Sequence, residues 1–163
     1  MPAITKSGRG RSGARGVTET ERVLAEAIPF AVDYSRVRIY EAGSSGAAAR
    51  VRRLVLRASR NRAVAVGNHV FLPDLCTGDL GVLAHELTHC GQYQRWGALR
   101  YFARGVAAQL RHALHQSFGI GSNPYDYRVE PGKPFSSYGM EQQAQMVEDR
   151  FRGRAFDHAI PSA

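Results

Sequence analysis

His85 and His89 stand four residues apart in the run Ala84-His85-Glu86-Leu87-Thr88-His89-Cys90-Gly91-Gln92, with a carboxylate between them. Residues four apart share one face of a helix, so both imidazoles can reach a single metal ion. Neutral imidazole suits Zn²⁺, and two such ligands need a third ligand and a water to complete a catalytic tetrahedron. Glu86 lies about 100° around the helix from His85. That places it beside a water at the metal rather than on the metal, where it can serve as general base in hydrolysis. The bland alternative is a pair of satisfied core histidines. It fits poorly, because Leu83, Leu87 and Cys90 fall together on the opposite face and already supply a buried back.

The third ligand must come from elsewhere. After His89 the chain reads Cys-Gly-Gln-Tyr-Gln-Arg-Trp-Gly, without a third histidine close behind, and His112 and His115 have the wrong local spacing. The remaining pattern is a glutamate on a later helix, for which Glu141 and Glu148 are the candidates; seven residues apart, they share nearly the same face. Glu141 is favoured because it lies in a first turn and is followed by small Ala144, which lets helices approach closely. Its bland reading is a solvated first-turn glutamate stabilised by the helix dipole. Glu148 reads as a solvent or ion-pair residue. Hydrolysis also needs a donor to the developing oxyanion. Tyr127, Tyr138, Tyr125 and His112 are candidates, with the tyrosines favoured and Tyr127 and Tyr138 foremost, since the loop before Glu141 can fold over the metal.

The elements that position these residues follow from pattern. Residues 1–17 are rich in Gly, Ser and Arg and read as a disordered basic tail. Thr18 and Glu21 form a capping box ahead of a short helix that stops before Pro29. Val37–Tyr40 alternates as a strand. Residues 47–59 read as a helix with Val51, Leu54 and Val55 inward and its arginines in solvent. Residues 63–72 are β-branched around Gly67-Asn68, a hairpin signal, and the His69–Leu72 strand is a candidate edge for an added peptide strand, with His69 structural. A helix starting near Thr77 to Asp79 carries the central motif and breaks at Gly97. A second, over 98–118, has Leu99, Phe102, Val106, Leu110, Ala113 and Leu114 along one side, which reads as its packed face. The last helix runs from Gly139 or Met140 to about Phe151. Together these predict one α+β domain over 18–152, mainly helical with a small sheet or hairpin beside the motif helix, and a C-terminal tail over 153–163.

At 163 residues, 44% hydrophobic and 22% charged, the composition is that of an ordinary globular domain. No apolar stretch approaches 18 residues, so no membrane span is expected. The N-terminus has basic residues without an apolar segment behind them, so cytoplasmic synthesis is expected, with export by a signal-peptide-independent machine open. The net charge of +8 is carried mostly by arginine in the tail and in residues 50–62. No nucleic-acid motif or interleaved aromatic set accompanies it, which argues against a nucleic-acid partner. Cys76 and Cys90 form neither a disulfide framework nor a metal knuckle and read as small buried hydrophobes.

Several segments taken in order resemble one bacterial group. They are Asp33-Tyr34-Ser35-Arg36-Val37-Arg38-Ile39-Tyr40, Gly67-Asn68-His69-Val70-Phe71, His85-Glu86-Leu87-Thr88-His89 with Gln92-Tyr93-Gln94, Tyr125-Asp126-Tyr127, Gly132-Lys133-Pro134-Phe135, and Tyr138-Gly139-Met140-Glu141-Gln142-Gln143-Ala144. The group is the HExxH metallopeptidase domains encoded beside Rhs and Vgr proteins of type VI secretion, akin to the core domain of extracellular contractile injection systems. The resemblance covers about residues 18–152. It implies a zincin-like, gluzincin-type fold, Zn²⁺ as cofactor, Glu141 as third ligand beside His85 and His89, and an Rhs- or Vgr-type secretion partner. Cys90-Gly91 departs from it, standing where the group has an apolar, often aromatic pair. The expected activity is peptide-bond hydrolysis of a protein or peptide substrate, with Glu86 as base. The rival readings are a catalytically weak zinc-binding adaptor for secreted toxins and a basic nucleic-acid-binding module.

Overall fold

The computed structural model describes residues 13–121 and 123–153. Among these, four α-helices and one three-stranded sheet make an α+β domain: β1 (Arg38–Tyr40), α1 (Gly46–Ala58), β2 (Val64–Val66), β3 (His69–Phe71), α2 (Leu80–Trp96), α3 (Ala98–Phe118) and α4 (Met140–Phe151). The sheet order is β1-β3-β2, with β1 parallel and β2 antiparallel to the central strand. Gly67, at φ +64°, turns the β2–β3 hairpin with Asn68, as the Gly-Asn pair predicts. Because β3 is paired on both sides, it offers no edge to an added strand. The free edge belongs to β2, which corrects the expectation for His69–Leu72.

Thr18 and Glu21 do form reciprocal bonds: Thr18 N donates to Glu21 Oε2 at 2.8 Å and Glu21 N to Thr18 Oγ1 at 3.2 Å. The helix they open is a 3₁₀ helix, Thr20–Glu26. Residues 1–12 and 154–163 of the two expected tails lie outside the described residues. Residues 13–17 are held: Arg15 exchanges backbone bonds with Ile39 at 2.9 and 2.7 Å, and its guanidinium engages both Glu21 and Glu41.

Packing differs from pattern on two helices. On α1 the inward residue is Leu56, while Val51 and Leu54 face out. Arg52 turns inward, donating to Leu72 O at 2.9 and 2.7 Å and pairing with Asp74. On α3 the buried residues are Tyr101 and Ala108; of the expected packed stripe Leu114 is half-buried and Leu99, Phe102, Val106, Leu110 and Ala113 are exposed. α2 runs through the middle, burying Leu83, Ala84, Leu87, Cys90 and Gly91. It packs against the sheet, α3 and above all α4, which presents Ala144, Met146 and Val147 to it. Gly91 is where the Phe30–Val32 segment crosses α2. A Cβ there would stand 2.4 Å from Phe30 Cε2 and 2.9 Å from Val32 Cγ2, so the departure at Cys90-Gly91 is a close crossing that bulk would block.

Candidate metal centre

Asp79 opens α2 by accepting from Val82 N at 3.0 Å, and Arg152 at the end of α4 forks onto the same carboxylate at 2.8 and 2.9 Å. The start of the motif helix is thereby tied to the end of the helix carrying the expected third ligand. Two turns further, His85 and His89 project to the same side, ring centroids 5.0 Å apart. Glu141, in the first turn of α4, meets them: its Oε2 lies 3.3 Å from His89 Nε2 and 3.7 Å from His85 Nε2.

Two ligands about 2.1 Å from a tetrahedral metal stand roughly 3.4 Å apart, so the two Glu141–histidine separations have the size expected of a metal site. Ligand atoms of His85, His89 and Glu141 all lie within 4.8 Å of one another. Glu148 is excluded from the triangle. Its Oε2 sits 3.3 Å from the other nitrogen of His85, Nδ1, while its Oε1 takes the Arg152 Nε–H at 2.9 Å. The His85–Glu148 contact is an ion-pair distance without hydrogen-bond alignment. Glu148 is thus the ion-pair residue the sequence suggested, but one that also steadies a candidate ligand.

A buried amide relay fixes the second histidine. Gln92 Nε2 donates to Met140 O at 3.0 Å and to Gln143 Oε1 at 3.1 Å, and this pair of acceptors sets the orientation of the amide. Gln92 Oε1 therefore faces His89 Nδ1 at 2.8 Å. A carbonyl oxygen can only accept, so Nδ1 carries the proton and Nε2 keeps its lone pair for a metal. Gln143 Nε2 continues the relay to Tyr138 O at 2.8 Å. Sequence reasoning assigned no role to Gln92 or Gln143. The signal was an amide three residues after the second histidine on an otherwise buried helix.

Burial disfavours charge on His85, but Glu141 and Glu148 outweigh it and push the imidazole up to about 10. Burial also penalises the Glu141 carboxylate, yet His89 and His85 hold it well below the usual range. The cluster thus favours a positive charge at its centre, the place a divalent ion would take. Glu86 differs. It is buried, burial raises its carboxyl, and its Oε2 has no hydrogen-bond partner. A buried unpaired carboxylate oxygen is costly, and here it faces the cleft beside the ligands.

That cleft, about 740 Å³, is lined by His85, Glu86, His89, Glu141, β2, α3 and Tyr125. Neither Tyr127 nor Tyr138 lines it, which corrects their expected role. The Tyr127 hydroxyl donates to Asp149 Oδ2 at 2.8 Å, and the Tyr138 hydroxyl accepts from Glu130 N at 2.9 Å beneath Lys133. Tyr125 is the phenol of that loop that reaches the site. Burial and the Glu141 charge push it up to about 12. Its ring meets His112 edge-on at 5.5 Å, and Gln142 Nε2 holds the loop through Asp126 O at 2.7 Å.

Residues 19–97 match the family model of the eCIS core domain. The chain is 28% identical over 157 residues to the type VI secretion system spike protein VgrG2b of Pseudomonas aeruginosa strain PAO1, a match covering 88% of this chain and 13% of that protein. The chain therefore spans a small fraction of the relative's length. No solved structure matches the chain. Among the described residues no helix is long and apolar enough to cross a membrane.

Proposed function

We propose that this chain is a zinc-dependent peptide-bond hydrolase domain of gluzincin type, working within a contractile injection or type VI secretion system. The observation that carries the reading is the convergence of His85 Nε2, His89 Nε2 and Glu141 Oε2 beside the buried, unpartnered oxygen of Glu86, at the floor of an open cleft. The donor set of two neutral imidazoles and one carboxylate suits zinc and leaves a fourth position. The metal, when bound, supplies Lewis acidity that polarises the scissile carbonyl and acidifies a water.

The chain's own groups do the rest. Glu86 accepts the proton of the attacking water and returns it to the departing amine nitrogen. Its burial raises proton affinity, which suits a group that must hold a proton and then release it. Tyr125, lining the same cleft, is the donor best placed for the carbonyl oxygen as negative charge develops there. Gln92 and Glu148 keep the two imidazoles aimed. The eCIS core match and the likeness to a spike protein support delivery with Vgr-type partners.

The test is elemental analysis joined to a peptide-cleavage screen. About one zinc per chain is expected, absent in His85→Ala and His89→Ala. Glu86→Gln is expected to keep zinc and fold while losing most hydrolysis. Zinc retained at full occupancy by both histidine variants refutes the centre, and zinc lost from Glu86→Gln refutes the role of Glu86 as base.

A further inference from the structure

α3 carries Leu99, Phe102, Val106 and Leu110 at helical spacing, and they are 86%, 47%, 69% and 59% exposed. An apolar stripe this open on a helix that buries Tyr101 and Ala108 on another side is not core. Three of its members, Phe102, Val106 and Leu110, form one wall of the cleft above Glu86 and the metal ligands. Phe102 is braced from behind by Tyr101 and Tyr93, at ring distances of 5.3 and 6.2 Å.

The opposite wall is β2, whose outer edge would ordinarily grip an extended peptide by backbone pairing. Its middle residue is already engaged. Ala65 O accepts the Tyr101 hydroxyl at 2.9 Å, and Ala65 itself is buried. Little backbone capacity is left at the point nearest the chemistry. Recognition must then draw on side-chain burial, and the apolar wall stands where an extended chain crossing the metal would lay one.

We infer that the cleft selects peptides by a large aliphatic or aromatic side chain next to the scissile bond, laid against Phe102, Val106 and Leu110. This rests on the metallopeptidase reading. Burying a leucine-sized side chain is worth about tenfold or more in affinity. The occupant is a peptide because the stripe runs into the metal cleft.

The test is calorimetric binding of hydroxamates, which anchor on zinc and are not consumed. The zinc-loaded full chain is titrated with the hydroxamates of N-acetylglycine, N-acetylaspartate, N-acetylleucine and N-acetylphenylalanine. The leucine and phenylalanine compounds are expected to bind at least about tenfold tighter than the other two. The double substitution Val106→Gln with Leu110→Gln, both exposed, should collapse that preference, whereas Leu99→Gln, outside the cleft lining, should keep it. Equal affinities in a zinc-loaded wild type overturn the inference and leave the metal centre standing. Preference for aspartate overturns it in favour of Arg62, which also lines the cleft. A concentration-dependent dimer that the double substitution abolishes, without side-chain preference, makes the stripe a contact between copies and overturns it too. Failure to hold zinc, or to bind any hydroxamate, removes both readings together.

Discussion

Gln92→Leu is the sharpest probe of how the fold builds the centre. Gln92 is 1% exposed and touches no part of the cleft, yet its amide makes three bonds of 2.8–3.1 Å to His89 Nδ1, Met140 O and Gln143 Oε1. Leucine matches its bulk and removes all three. Met140 O stands at the start of α4 and keeps the helix ladder as an alternative, so the groups left buried and unpaired are the His89 N–H and the Gln143 oxygen. Each costs about 1–3 kcal/mol, and the apolar gain of leucine offsets part of it. A net loss of about 2–4 kcal/mol is expected, a large share of the ~5–15 kcal/mol typical of a domain. Metal affinity falls separately, because His89 is free to rotate and Glu141 loses its tie to α2; outer partners of ligating histidines are commonly worth about 10–100-fold. The assay is a zinc competition titration against a chromophoric chelator, with thermal melts of metal-free and zinc-loaded protein. Loss of stability with zinc affinity within about twofold of wild type would reduce Gln92 to packing. No change in either quantity would refute the relay.

Glu141→Ala should lose zinc under mild chelation, whereas Glu148→Ala should weaken it only about 10–100-fold through His85; the opposite order in a competition titration would move the third ligand along α4. Gly91→Ala should destabilise by about 1–3 kcal/mol through overpacking against Phe30, despite its better helix propensity, and denaturant unfolding that shows a gain would refute the close crossing. Arg15→Ala should cost about 1–3 kcal/mol at pH 7 by leaving Glu21 and Glu41 without their shared partner. Burial opposes ionisation of Glu21, but Arg15 and Thr18 hold its carboxyl below the ordinary value. That stabilisation is present above the ordinary carboxylate pKa and disappears as pH falls through the lowered one. The penalty of Arg15→Ala should therefore shrink in acid, and a penalty constant from pH 7 down to 2 would refute the assignment.

The motif helix was legible because its information is local: spacing set the face for His85 and His89, and Asp79 and Gly97 marked its ends. The hairpin was legible for the same reason, Gly67 and Asn68 being turn residues wherever they sit. What could not be read was which face of a helix meets a neighbour. On α3 the 3.6-residue stripe of Leu99, Phe102, Val106 and Leu110 has the signature of a packed face, and periodicity carries no sign for inside or outside when an apolar wall serves a cleft. On α1 Arg52 turns inward as well as Leu56, because Leu72 O and Asp74 reward a guanidinium there, and charge alone suggested solvent. The tyrosines failed similarly: Tyr125, Tyr127 and Tyr138 share one irregular stretch, where no repeat says which phenol turns to the cleft.

The polar contacts that hold the centre also tie α2 to α4, beside the apolar packing of Ala144, Met146 and Val147. Arg152 reaches from α4 to the Asp79 carboxylate that opens α2 and to Glu148, and Glu148 stands against His85. Gln92 reaches from α2 to Met140 and Gln143, flanking Glu141, and stands against His89. Each imidazole thus stands against a residue tied into a polar bridge between the two helices: His85 against Glu148, which holds the Arg152 that reaches Asp79, and His89 against Gln92. A metal bound to His85, His89 and Glu141 closes a third link between the same helices. Zinc should accordingly stabilise the folded chain by an amount that rises with its concentration over Kd. Cutting either bridge should also loosen the imidazole at that end. The zinc-dependent rise in melting temperature should then shrink in Arg152→Ala, because Glu148 loses the partner that holds it against His85 and zinc affinity falls; ordinary packing damage would lower both melting temperatures and leave the rise unchanged, and that result would refute the coupling.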